Sequence, residues 1–185
     1  MSLCCPASVN PTNHEGVIMF RRNSLPVWIG IILLSGVFLM GQGTLQACDE
    51  VVDFEDRNLE EMIRQHIDKP GGPICSSDLA GLRTLDASAS SIFALTGLED
   101  CTASTVLYLE GNQISDISPL VGLTDLRWLK LNDNQISDIY PLVQNPGIDA
   151  GDFVHLYPNP LSSTSCTTYI PELESRGVIV WHDCP

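Results

Sequence analysis

An internal repeat of 22 residues constrains the fold of this chain more than any other feature. The segment GNQISDISPL at residues 111–120 recurs as DNQISDIYPL at residues 133–142. The spacing of apolar residues continues back to residue 85 and on to residue 161, after an insertion of three residues around Pro146 and Gly147. Fixed periods of about 20 to 50 residues are typical of stacked supersecondary units. The sequence therefore predicts about four turns of a solenoid.

Each repeat contains a segment with the period of a short β-strand. Leu126, Leu129 and Leu131 frame a stretch in which alternate side chains point inward. Because every turn brings the chain back in the same direction, successive strands are expected to be parallel neighbours about 4.8 Å apart. The segments around Pro119 and Pro141 are expected to form the opposite, convex side, in extended or turn structure.

The pattern L-x-x-L-x-L-x-x-N-x-I resembles the leucine-rich repeat, in the 22-residue bacterial form of internalin-like proteins, over residues 51–181. The resemblance implies an α/β solenoid, a right-handed coil with parallel strands on its concave face, and a role in protein interaction. Asn112, Asn134 and Asn159 occupy the asparagine-ladder position of the family, where an inward amide satisfies backbone groups of the bend. Ser90 replaces asparagine in the first turn, which is expected to be looser.

Both ends of so short a solenoid need covers. Residues 48–81 are expected to form an N-terminal cap with a helix over residues 56–69, since apolar side chains recur there at helical spacing. His66, at the edge of that apolar face, is interpreted as a packing residue. Residues 82–161 form the repeats, and residues 162–185 a C-terminal cap with a helix kinked near Pro171 and a last strand at 178–181.

The first 47 residues have the pattern of a targeting segment. Residues 25–40 contain no charge and follow Arg21 and Arg22, which predicts a signal peptide over residues 19–47. The alternative is a permanent membrane anchor, but sixteen residues fall short of the roughly twenty that span a bilayer. Residues 1–18 are interpreted as an upstream extension, with translation starting at Met19. The folded part is expected outside the cytoplasm.

The segment LQAC at residues 45–48 resembles the lipobox of bacterial lipoproteins. This resemblance implies a lipid anchor on Cys48, which would be the protein's one contact with a membrane. Simple cleavage after Ala47, leaving a soluble Cys48, is the alternative. A disulfide is predicted between Cys166 and Cys184, where closing the loop would contribute about 3 kcal/mol in an oxidising compartment. The partner of Cys75 is left open.

The sequence contains no motif of an enzyme or a cofactor site. G-x-S-x-G, H-E-x-x-H, C-x-x-C and a glycine-rich phosphate loop are all missing. We therefore expect no catalytic residues, no metal and no cofactor, and turnover dependent on His155 is the weakest hypothesis. The net charge of −14 argues against nucleic acid, since phosphate binding requires clustered Lys and Arg.

The strand register places a set of aromatic and charged residues on the concave face, which we call the concave patch. Its members are Tyr108, Glu110, Trp128, Lys130, Phe153, His155 and Tyr157. Such a composition is typical of interface hot spots. The sequence thus predicts a non-enzymatic module that binds a protein, or less favourably a glycan, through this face. The alternatives are aromatic packing within the sheet, a C-terminal cap folded over the patch, or a structural envelope protein without a ligand.

Overall fold

The computed structural model describes residues 48–185, in which five short strands form one parallel sheet. The strands follow chain order as β1 (Thr84–Asp86), β2 (Val106–Tyr108), β3 (Trp128–Lys130), β4 (Phe153–His155) and β5 (Ile179–Trp181). Each strand pairs with the next in parallel, with the central residues of all five aligned. The sheet confirms the α/β solenoid of parallel strands that the repeat predicts.

The core is built from the residues that recur at the same place in each turn. The central residue of every strand points inward and is buried, while its two neighbours face the other side of the sheet. Burying one such Leu, Ile or Val side chain stabilises the fold by about 1.5–3 kcal/mol. The buried row of the strands is Leu85, Leu107, Leu129, Val154 and Val180. Further buried positions repeat at the bend and on the convex side, and the best-preserved row among them is Ile92, Ile114 and Ile136.

The three predicted ladder asparagines are buried and hydrogen-bonded to backbone. The Asn134 amide nitrogen donates to the carbonyls of Leu109 and Leu131, and its oxygen accepts from the Ile114 amide. Asn112 and Asn159 repeat this arrangement one turn before and one turn after. The ladder therefore ties each bend to the preceding turn.

The convex side carries short helical turns. Leu98–Asp100 and Ser118–Leu120 are 3₁₀ helices, and α3 (Tyr140–Gln144) is a short α-helix. Asp116 and Asp138 accept hydrogen bonds from the backbone amides two residues later, at 2.8 and 2.9 Å. This local bond starts the turn, so we interpret these carboxylates as structural.

The three-residue insertion follows α3 and is held by a buried asparagine. The Asn145 amide nitrogen donates to the carbonyls of Leu120 and Leu123, and its oxygen accepts from the Gly147 amide. A Cβ on Gly147 would overlap the Thr124 carbonyl oxygen. The inserted loop thus lies directly against the previous turn and needs glycine at this position.

The N-terminal cap contains the predicted helix in shortened form. α1 (Arg57–His66) begins after Asp56, whose carboxylate accepts from the Asn58 and Leu59 amides, and it buries Leu59 and Ile63. A second helix, α2 (Ser76–Leu79), was not predicted from the sequence because its four residues show no periodicity.

The C-terminal cap combines a wide helical turn, a short helix and the last strand. A π-helical turn (Ser165–Tyr169) leads into α4 (Ile170–Ser175), which has Pro171 in its first turn. The wider turn accommodates proline, which has no amide hydrogen to donate. Gly177, with φ of +91°, ends the helix, and β5 then joins the repeat sheet beside β4. The sheet is one strand longer than the four turns counted from the sequence.

One disulfide lies at each end of the solenoid. Cys166 is bonded to Cys184, as expected, with Cα atoms 5.6 Å apart. Cys48 is bonded to Cys75, with Cα atoms 5.5 Å apart. The lipid anchor expected on Cys48 stays a prediction, and it would require the Cys48 sulfur to be free of this bond.

Cys101 is free and buried, and burial raises the pKa of its thiol to about 12. It fills an apolar position of the core. The predicted signal peptide and upstream extension lie outside the described residues. Within residues 48–185, no helix has the length and apolar character needed to span a bilayer.

Candidate functional site

The register brings the predicted patch residues together on the concave face. Trp128 pairs with Phe153, and Lys130 pairs with His155 across β3 and β4. Tyr108 precedes Lys130 in the same row, while Glu110 and Tyr157 each follow two residues after their strands. All seven side chains are at least partly exposed. They therefore form one surface rather than part of the core.

Two aromatic rings form the centre of the patch. The ring centroids of Trp128 and Phe153 lie 4.5 Å apart at an interplanar angle of 32°. Such a pair contributes about 0.5–1.5 kcal/mol beyond its buried area. Trp128 nevertheless keeps 36% of its surface exposed. The two rings thus contact each other within the sheet, and Trp128 still presents apolar surface outward.

Lys130 forms a polar contact group beside these rings. Its Nζ lies 4.8 Å from the centre of the Tyr108 ring and 3.5 Å from Glu110 Oε1. Cation–π contacts of this kind contribute about 0.5–1 kcal/mol at exposed sites. Two neighbours thus hold the ammonium over the face.

Two oxygens on this side of the sheet have no hydrogen-bond partner within the described chain. They are Glu110 Oε2 and Asn132 Oδ1, both buried at the atomic level. An unsatisfied buried acceptor costs about 1–3 kcal/mol. Both oxygens are thus enclosed and unsatisfied within residues 48–185.

β5 adds two exposed hydrophobic residues that the sequence analysis did not place on this face. Trp181 pairs with His155, their ring centroids 5.3 Å apart in edge-to-face geometry, and it is 55% exposed. Ile179, next to Phe153, is 42% exposed. Residues 178–181 had been assigned to the cap. The alignment of Val180 with Val154 was the available signal that they continue the sheet.

The patch ends at an exposed tyrosine and contains a shallow groove. Tyr157 is 54% exposed. The groove runs between the Trp128–Phe153 pair and Trp181, with the side chains of Lys130 and His155 along it. The C-terminal cap does not cover this face: α4 packs against β5 and α3, and the patch aromatics stay accessible.

The opposite end of the same face is small and polar. β1 presents Thr84 and Asp86, followed by Ser88. The Ser88 hydroxyl and amide donate to Asp86 and hold the pKa of that carboxyl below its usual range. His66 Nε2 accepts a hydrogen bond from the Asp86 backbone amide at 3.1 Å. His66 therefore seals the edge of β1, a more specific structural role than packing.

One group of three potential metal ligands occurs among residues 48–185. It consists of Cys48, Asp49 and Cys75. The two sulfurs are bonded to each other, so they cannot act as thiolate ligands. The Asp49 carboxylate accepts from the Ser77 hydroxyl, which lowers its pKa. We interpret this group as part of the N-terminal cap.

Comparisons with known proteins identify the repeats. A family model for leucine-rich repeats, in two copies, matches residues 105–144. An internalin (InlF) from Listeria monocytogenes is 30% identical with a TM-score of 0.55, over 60% of this chain and 33% of that one. No curated protein matches the chain.

Two other Listeria monocytogenes structures are similar. Internalin C2 is 20% identical with a TM-score of 0.49, over 70% of this chain and 66% of that one. The functional domain of InlJ is 27% identical with a TM-score of 0.43, over 59% and 26% respectively. The chain thus spans between about a quarter and two thirds of these structures. The repeat match, the InlF likeness and the parallel sheet show that the chain is a leucine-rich-repeat solenoid, similar in its repeats to InlF.

Proposed function

We propose that this protein is a non-enzymatic, extracytoplasmic recognition module that binds a protein partner through the concave patch. The observation that carries the proposal is the cluster of exposed aromatic side chains on one half of an otherwise polar sheet face. Trp128, Tyr157 and Trp181 are 36%, 54% and 55% exposed. Exposed apolar clusters of this kind on a soluble domain mark contact sites.

The chemistry of the patch indicates what the partner presents. Trp and Tyr are the residues that most often dominate binding energy, because they bury large areas at low entropic cost. Lys130 is already engaged by Glu110 and Tyr108, so the exposed aromatic rings are the groups left to meet a partner. The matching surface therefore presents apolar groups to these rings.

The proposed location outside the cytoplasm has two supports. Disulfides form and persist in oxidising compartments, and both ends of the solenoid have one. The uncharged stretch at residues 25–40 after Arg21 and Arg22 has the pattern of an export signal.

The absence of an enzymatic role is part of the proposal. Repeat solenoids present extended surfaces that suit macromolecular contact. In internalin-like proteins the repeats imply protein interaction, and the same use is proposed here. A partner of standard size needs about 800 Å² on each side, so a small face depends on its aromatic anchors.

A structural role without a dedicated ligand is the second candidate. The contacts of Trp128 with Phe153 and of His155 with Trp181 favour it, because aromatic neighbours on a sheet stabilise each other without a partner. The two candidates differ in what happens when exposed rings are removed. Recognition loses a bound partner, whereas packing loses only stability.

The test is a crosslinking capture from the native cell envelope with the protein expressed from its complete gene as bait. The Trp128→Ala, Tyr157→Ala double variant is run beside the wild type. Tyr140→Ala is the matched control, since Tyr140 is an aromatic with 44% exposure on the convex side. Circular dichroism verifies that all three proteins keep the same fold.

Recognition predicts a protein captured by the wild type and by Tyr140→Ala but lost with the double variant. Identical captures from all three baits would replace recognition with the structural role. A glycan bound by the wild type and lost with the double variant, without any protein, would keep the site and change the class of ligand.

A further inference from the structure

The two edges of the sheet, at β1 and at β5, differ in the contacts that their backbone groups make. At the β1 edge, the Asp86 amide is bonded to His66 Nε2, and α1 packs against the strand. At the β5 edge, Ile179 donates to Asp152 O, and Trp181 O accepts from the Leu156 amide, both at 2.8 Å. Residues 179 and 181 thus turn their backbone groups towards β4.

Within residues 48–185, the backbone groups of Val180 form no hydrogen bond on the side of β5 away from β4. Successive residues of a strand direct their N–H and C=O groups to opposite sides, so those of Val180 point away from β4. An edge strand with free backbone groups is a template for pairing with another strand. β5 also lacks the devices that block pairing, since it contains no proline, no bulge and no charged residue within Ile179–Trp181.

We propose that two copies of this chain pair through β5, antiparallel, about a two-fold axis at Val180. The Val180 amide of each copy donates to the Val180 carbonyl of the other. This arrangement closes both open edges in one step and joins the two sheets into a continuous sheet of ten strands. A parallel or head-to-tail pairing would leave an edge free for further addition.

The side chains that flank Val180 favour a second copy as the occupant. Ile179 and Trp181 are 42% and 55% exposed and lie on the same face. In the proposed register, Ile179 lies directly opposite Trp181 of the second copy. Aromatic and β-branched residues in such cross-strand pairs stabilise a sheet by about 0.2–1 kcal/mol each. Two-fold symmetry supplies this pair twice.

Charge complementarity supports the same register. Arg176 precedes β5 and the exposed Asp183 follows it, so an antiparallel pairing brings the arginine end of each copy towards the aspartate end of the other. Arg176 now binds Glu172 at 2.6 Å with about a third of its side chain exposed. This placement of opposite charges offsets part of the repulsion expected between two chains of net charge −14.

Pairing of this kind also enlarges the surface available for recognition. The concave patches of the two copies would lie on one face, joined through their Trp181 and Ile179 side chains. The pairing itself uses only β5 and does not rest on the identity of any ligand. Failure of dimerisation would leave the capture experiment above unaffected, and the converse also holds.

The test measures the mass in solution of the protein expressed from its complete gene. Two charge variants are compared, I179K/W181K and I179E/W181E, both at exposed positions that tolerate charge. Each variant places like charges opposite each other across the axis, whereas a mixture of the two places lysine opposite glutamate. Thr84→Glu is the matched control, an exposed strand residue at the sealed β1 edge.

The wild type and Thr84→Glu are expected at twice the monomer mass, and each charge variant alone at the monomer mass. The equimolar mixture of variants should regain twice the monomer mass and lose it again in high salt, because salt screens exposed charges. A monomeric wild type, charge variants that remain dimeric, or a mixture that stays monomeric would each overturn the proposal.

Discussion

The two ends of the concave face have the same backbone arrangement but carry different outward-pointing side chains. At the β1 end the face carries Thr84, Asp86 and Ser88, and His66 seals the edge. At the β4–β5 end it carries Phe153, His155, Ile179, Trp181 and Tyr157, and the edge is open. The inward residues at both ends are the same small set of aliphatic side chains.

This difference separates what holds the solenoid together from what it presents. Inward positions must fill a fixed volume against the turns on either side, so each repeat uses Leu, Ile or Val. Outward positions on the face make few contacts that the fold requires, and they vary freely. The aromatic residues concentrated at one end are the basis of the recognition proposal, and the predictions below test that separation.

The largest effect is expected where the ladder is complete. Asn134→Ala should lower the free energy of unfolding by about 4 kcal/mol, because three buried backbone groups lose their partners at 1–3 kcal/mol each. Ser90→Ala, in the same position of the first turn, removes one bond to Ser88 O and should cost less than about 1 kcal/mol. Urea unfolding of both variants measures the difference, and equal losses would contradict the expectation.

A second large effect is expected at the insertion before β4. Gly147→Ala should destabilise the protein by about 3 kcal/mol, since its Cβ would overlap the Thr124 carbonyl. Gly122→Ala is the control, as nothing lies within 4 Å of its Cβ position. Thermal unfolding of the pair would show no difference if the loop could move aside.

The two disulfides, one at each end of the solenoid, are expected to make similar contributions to the free energy of unfolding. Replacing Cys166 and Cys184 by serine should cost about 3 kcal/mol, and replacing Cys48 and Cys75 slightly more, because loops of 18 and 27 residues lose similar entropy when closed. Urea unfolding measures both losses, and peptide mapping without reduction verifies the pairs. A lipid-modified Cys48 in the mature protein would contradict the second pair.

A smaller, pH-dependent effect is expected in the N-terminal cap. Lys69 and the Cys75 amide hydrogen-bond Asp78 and lower the pKa of its carboxyl. The resulting stabilisation is present above the unfolded-state pKa of about 4 and is lost as the pH falls through the lower folded-state pKa. Asp78→Asn should therefore cost about 1 kcal/mol at neutral pH and little in strong acid. A loss that is the same at both pH values would assign the effect to packing instead.

The last effect is expected at the concave patch, and it is larger on binding than on stability. Trp128→Ala should cost about 2 kcal/mol, of which about 1 kcal/mol is the contact with Phe153 and the rest the buried part of the ring, while partner capture is lost. Thr84→Ala, the corresponding row at the β1 end, should leave both properties unchanged. A loss of several kcal/mol for Trp128→Ala would place the ring with the packing residues and weaken the recognition proposal.

Much of the fold could be predicted because aligning the repeats with one another gives the pairing register of the strands. Aligning Leu107 with Leu129 is enough to place Tyr108 beside Lys130, and the structure has that pairing. The ladder asparagines and the Cys166–Cys184 bond follow from position in the repeat and from the need to close the terminal cap. Strand β5 was recognised but counted as cap, since the spacing from Val154 to Val180 departs from the repeat of 22 residues.

Other features depend on contacts between distant residues and carry no local pattern. The Cys48–Cys75 bond forms because the chain at Val51 pairs with Cys75, and the lipobox resemblance pointed elsewhere. His66 shows only helical spacing, so its bond to the Asp86 amide required the position of α1 on the sheet. Asn145 reads as a loop residue, although it is buried against the previous turn.

The sequence by itself determined the solenoid, the direction of its strands and the residues that point outward from the sheet on the concave face. A period of 22 residues leaves only one way to bury the aliphatic side chains. The tertiary structure alone decided how each end is finished: a histidine and a helix on β1, a fifth strand with a free edge after β4, and a disulfide at each cap. The physical reason is that a repeat encodes contacts between neighbouring turns, whereas an end has a neighbour on one side only.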